Sequence, residues 1–98
     1  MPHYCPLHEL GNAPYHTMTA GVLRGARAIT TKSGKKMAFL ELYDEVSVKE
    51  FTVFPSVYEA CYAVLTTGAV LAVECHKDDR KDGTYIIDSA RALGENEP

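Results

Sequence analysis

Two groups of side chains in this sequence have the types and spacing to do chemistry. Arg24, Arg27, Lys32, Lys35 and Lys36 all fall between Leu10 and Leu40, a stretch with no acidic residue. Phe39 and Tyr43 follow at once, before and just after the first acid of that region, Glu41. A second basic group, Lys77, Arg80 and Lys81, is interleaved with Asp78, Asp79 and Asp82, which offset its charge. Cations neutralise phosphates with a salt-dependent gain. Flat aromatic rings stack on bases, on the order of 1–3 kcal/mol per base, and tolerate any sequence. The pattern suits holding a strand of nucleic acid, with the basic part of the chain separate from the acidic part that runs on through Asp44, Glu45, Glu50 and Glu59.

Bond-making chemistry finds no support. No G-x-x-x-x-G-K, H-E-x-x-H or G-x-S-x-G run occurs. His16 and His76 read as lone histidines, with no paired nucleophile pattern around them. His3, Cys5 and His8 are close in sequence, but a structural zinc site usually wants four ligands. No catalytic residue, metal or cofactor is expected. The net charge of −3 argues against a chain-wide grip on a polyanion, so any grip must be local. The three cysteines, at 5, 61 and 75, form no C-x-x-C pair and suggest reduced thiols in a cytoplasmic protein. No run approaches the roughly 18 apolar residues of a membrane span. The N-terminus has neither the basic nor the apolar part of a signal peptide. No membrane partner is expected.

The elements that must position these residues follow from the pattern. With 98 residues, 46% hydrophobic and 23% charged, the chain can form one domain with a modest core. Residues 1–18 hold three prolines and no sustained period, an irregular lead-in. Residues 19–31 favour strand, with Gly25 placed for a bulge or bend. Lys32-Ser33-Gly34-Lys35 is a turn. Residues 36–44 alternate, with Ala38, Leu40 and Leu42 on one face and Met37, Phe39, Glu41 and Tyr43 on the other. Residues 48–54 give a third strand, with Phe51 and Val53 inward. Pro55 ends it, and Ser56 with Glu59 has the spacing of a capping box. Val57, Cys61, Val64 and Leu65 recur at helical spacing, with Gly68 as the stop. Residues 69–76 and 84–90 give two more strands around a charged loop, 77–83. The tail is polar. Tyr85 suits either a core or a stacking role.

Five strands with one helix between the third and fourth make an all-β fold with one helix, a five-stranded Greek-key OB-fold barrel. The expected layout is a lead-in over 1–18, the barrel over 19–93 and a tail over 94–98. Such a barrel binds across its second and third strands, under the loops after strands one and four. The candidate binding residues are therefore Phe39, Lys32, Lys35, Lys36, Arg27, Arg24, Tyr43, Lys77, Arg80 and Lys81.

The run Ile29-Thr30-Thr31-Lys32-Ser33-Gly34-Lys35-Lys36-Met37-Ala38-Phe39-Leu40-Glu41-Leu42 resembles the OB domain of the bacterial replicative DNA polymerase III alpha subunit. Val53-Phe54-Pro55 and the helix start near Tyr58 extend the resemblance, which covers roughly residues 19–93. It implies a non-catalytic module that guides single-stranded DNA during replication and binds it weakly in isolation. The rest of a polymerase chain or other replisome subunits would be its partners. The polymerase aspartates that hold catalytic magnesium have no counterpart here. The barrel class also includes anticodon-binding domains of class II aminoacyl-tRNA synthetases, whose second-strand phenylalanine corresponds to Phe39. A protein-interaction barrel and an RNA- or tRNA-binding domain are the alternatives.

Overall fold

The computed structural model describes residues 3–94. A single 15-residue strand, β1 (His16–Thr30), organises the molecule, because it is long enough to serve two neighbours in turn. Its first half pairs antiparallel with β4 (Val70–Lys77), from His16 opposite His76 to Val22 opposite Val70. Its second half pairs antiparallel with β2 (Lys36–Tyr43), out to Thr30 opposite Lys36. The register shifts between Leu23 and Gly25, so Arg24 is the extra residue of a bulge at the position the glycine suggested.

β2 continues into β3 (Val48–Val53), and β5 (Thr84–Ala92) closes the sheet by pairing parallel with β3 and antiparallel with β4. The result is a closed barrel in the order β1-β2-β3-β5-β4, with the helix between β3 and β4, as the strand pattern implied. The inward alternation holds: Ala38, Leu40, Leu42, Phe51 and Val53 are all at most 1% exposed. Met37, expected on the outer face, is buried as well, at 8% exposed. Tyr85 belongs to the core, its ring 5.8 Å from that of Phe51.

Four local expectations are corrected. β1 starts at His16, three residues before Thr19, because β4 is long enough to pair with those residues. The segment before it is not merely irregular: a 3-10 helix, Leu7–Asn12, buries Leu7 and Leu10 completely in the barrel core. The Cys5 N–H donates to the Met18 carbonyl at 2.7 Å, and Thr19 Oγ1 donates to the Cys5 carbonyl at 2.6 Å. The capping box does not form. The helix α1 (Pro55–Cys61) starts two residues earlier than a Ser56 cap would place it, with Phe54 as N-cap and no side-chain cap bond. Proline's fixed φ suits the first helical position, where its missing N–H costs nothing. A 3-10 turn, Tyr62–Val64, ends the helical segment, so Gly68 is not its cap. Gly68 instead adopts φ +92° and donates its N–H to the Leu23 carbonyl at 2.8 Å, feeding β4 onto β1. Cys61 is buried, and Val57, Val64 and Leu65 pack against the core, so the helical apolar face is as the spacing indicated. None of the described helices is long and apolar enough to cross a membrane.

Candidate nucleic-acid interface

Alternation along β2 and β3 sends Phe39 and Thr52 to the outer face, directly opposite one another, while Leu40 and Phe51 fill the core. On its other side Phe39 pairs with Arg27 of β1. The Arg27 guanidinium carbon lies 4.8 Å from the Phe39 ring centre, within cation–π range. A groove of about 960 Å³ opens over these strands. Its wall on the far side is the β4–β5 loop, which contributes Asp78, Arg80 and Lys81. There the Arg80 guanidinium lies 6.0 Å from the centre of the Phe54 ring, a second cation–aromatic pair in the same groove.

The loop is braced from within. Arg80 N–H donates to Asp78 Oδ1 at 2.9 Å, and Thr84 Oγ1 lies 3.4 Å from Oδ2. The Arg80 N–H bond holds the Asp78 carboxyl below its ordinary range. Gly83, at φ +85°, supplies the left-handed residue that returns the chain to β5. A polyanion meets positive charge from Arg27, Arg80 and Lys81, but also two carboxylates on the groove floor. Glu41 and Glu50 stand directly opposite each other on β2 and β3 and line the same groove.

Arg27, Phe39, Arg80 and Lys81 are thus brought together in one groove. The other candidates lie elsewhere. Lys32 sits on the exposed β1–β2 turn, closed by Gly34 at φ +86°. Lys35 and Lys36 face a separate recess of about 330 Å³ with Tyr58, Glu59 and Tyr62 of the helical segment. Arg24, displaced by the bulge, has its Nε 3.7 Å from Glu41 and lines a third recess with Tyr43. Lys77 is turned to the far side, its Nζ donating to the Gly11 carbonyl at 3.1 Å.

Two groups escaped the sequence reading. Phe54 lines the groove; its signal was present, since it shares the phase of Glu50 and Thr52 on β3. His16 and His76, read as lone residues, are register partners on β1 and β4, with Asp88 of β5 beside both. Only the strand pairing brings them together.

Residues 19–91 match the tRNA anti-codon family, described as an OB-fold nucleic acid binding domain. Over 80 residues, 81% of the chain, the sequence is 36% identical to DNA polymerase III subunit alpha of Bacillus subtilis. The matched part spans 7% of that subunit's length. Among solved structures, a putative aspartyl-tRNA synthetase from Leishmania major superposes with a TM-score of 0.70 at 16% identity, over 97% of this chain and 21% of that one. The yeast Stn1 and Ten1 structure gives 0.65 at 13% identity, over 82% and 43%. The Saccharomyces cerevisiae mitochondrial single-stranded DNA binding protein Rim1 gives 0.61 at 13% identity, over 84% and 96%. At these identities the structural matches establish the barrel and nothing finer.

Proposed function

The chain belongs to the OB-fold nucleic acid binding domain family, and from that premise we propose that it is a non-catalytic module that guides single-stranded DNA beside a replicative polymerase. The observation that carries this reading is the pairing of Phe39 with Arg27 and of Phe54 with Arg80 in a single groove. Each pair offers a base a ring to stack on and its phosphate a cation. The sequence likeness to a DNA polymerase alpha subunit favours DNA over RNA and a larger replication chain as the partner. The fold likeness to Rim1, itself a single-stranded DNA binding protein, is consistent with the same cargo.

The grip is local and weak. Three groove cations neutralising three phosphates give a slope of about −2 for log K against log salt, at about −0.7 per phosphate of a single strand. Fluorescence anisotropy of labelled oligo-dT with the 98-residue chain, at low and moderate salt, tests this. Micromolar or weaker binding that falls with salt supports it; no binding at any salt removes it. Labelled oligo-U in parallel separates DNA from RNA preference. One observation favours a second reading, a protein-binding barrel: the facing Glu41 and Glu50 would repel a phosphate but accept a basic peptide. Under that reading Phe39→Ala leaves oligonucleotide behaviour unchanged.

A further inference from the structure

We propose that His16, His76 and Asp88 form a mononuclear site for a divalent transition-metal ion of the zinc class. The site is separate from the groove and does not depend on the nucleic-acid reading. Three adjacent strands build it. His16 and His76 are direct register partners across β1 and β4, and Asp88 lies two residues along β5 from Ile86, the partner of His76. One ligand atom from each of the three lies within 4.8 Å of the others. His76 Nδ1 is 3.0 Å and 3.1 Å from the two Asp88 oxygens, and His16 Nδ1 is 3.8 Å from Oδ2. Ligands about 2.0–2.1 Å from a tetrahedral zinc are about 3.3 Å apart, so small side-chain rotations suffice.

The rings are also positioned from behind. Tyr15 packs edge-on against His16 at 5.0 Å and lies 5.6 Å from His76. Its hydroxyl donates to Asp79 Oδ2 at 2.9 Å. These ring contacts restrict the rotation of both imidazoles. Two imidazoles and one carboxylate suit zinc, cobalt or nickel rather than calcium or magnesium, which prefer all-oxygen sites. His16 and Asp88 are exposed and His76 is half-buried, leaving a fourth position open to water. The ion takes the lone pair of His76 Nδ1 in place of the contact with Asp88, so the imidazole binds as the neutral tautomer that carries its proton on Nε2.

Zinc chloride titrated into the 98-residue chain by calorimetry, under a phosphine reductant, tests the site. The expected result is one ion per chain and a raised melting temperature. His16→Asn and His76→Gln should each weaken binding at least about tenfold, the scale of outer-shell losses being a floor. His8→Asn should bind as wild type. Metal-free melting curves of the variants report that they still fold. Cobalt should give ligand-field bands without a thiolate charge-transfer band. No binding up to millimolar zinc overturns the proposal. So does binding undiminished in the two histidine variants, or a thiolate band assigning the ion to cysteine.

Discussion

The two halves of β1 share one backbone and opposite environments. From His16 to Leu23 the strand alternates, and its inward residues Thr19, Gly21 and Leu23 are buried. From Arg24 to Thr30 the alternation ends, and most residues are exposed whichever way they point. The first half is covered on its inner side by the N-terminal 3-10 helix through Leu7 and Leu10; the second half has no such cover and becomes the groove edge with Arg27. The bulge at Arg24 divides them. Stability and binding are therefore separable along a single strand, because burial of apolar area drives the first and exposed rings and charges drive the second.

The largest break in that separation comes from the covered half. Leu23→Ala removes a fully buried side chain and should cost about 2–5 kcal/mol in urea unfolding, with a proportionate drop in midpoint. Alkaline pH reaches the same wall. Cys75, the register partner of Thr17, is buried, and its thiol is pushed up to about 12 by that burial, with Asp88 adding to it. The unfolded chain loses this proton near the ordinary 9.0, while the folded chain keeps it. The thiol's contribution to stability is thus complete below about pH 9 and declines toward pH 12. Unfolding curves across that range should flatten in Cys75→Ala; an unchanged decline would assign it to Cys61 and Tyr85, whose values burial also raises.

Glycine substitutions compare the halves directly. A Cβ on Gly21 would meet Leu7 Cδ1 at 3.0 Å, the Tyr43 carbonyl at 3.1 Å and Leu42 Cβ at 3.2 Å. Gly21→Val should therefore destabilise by about 1–3 kcal/mol. Gly25 has nothing within 4 Å of that position, and Gly25→Ala should change stability by at most about 0.5 kcal/mol. Equal melting temperatures for the two variants would show that the N-terminal helix does not pack as described. On the open half the readout changes. Phe39→Ala should weaken oligo-dT binding by about 1–3 kcal/mol in the anisotropy assay while leaving the melt nearly unmoved.

How far the sequence reaches follows the same division. Strand order, the Gly25 bulge and the inward residues of β2 and β3 were legible, because alternation and glycine placement are local signals. The plug by Leu7 and Leu10 was not, since two leucines in a proline-rich segment have no period, and only the barrel end gives them a place to bury. Ser56 with Glu59 matched a capping pattern, yet Pro55 competes for the same helix start and takes it. Phe39 and Arg27 were readable as candidates, but their contact depends on a β1–β2 register that is set across the bulge. The histidine pair needed a register between residues sixty apart, which no local pattern carries.

The smallest effect is the sharpest test of place against charge. Lys77 and Arg80 belong to one basic stretch, and replacing either with alanine removes the same unit of charge. Geometry separates them: Arg80 stands over Phe54 in the groove, whereas Lys77 donates to Gly11 beside the covered half. Arg80→Ala should weaken oligo-dT binding by about 0.5–1 kcal/mol and reduce the salt slope by about 0.7. Lys77→Ala should leave affinity and slope as they are and lower stability by about 0.5 kcal/mol or less, the scale of a surface hydrogen bond. If the domain acted through its overall field, the two would weaken binding alike at low salt, where a Debye length of about 30 Å at 0.01 M makes the field insensitive to which side a charge stands on. Unequal slopes at equal net charge would instead place the phosphate contacts on the open half.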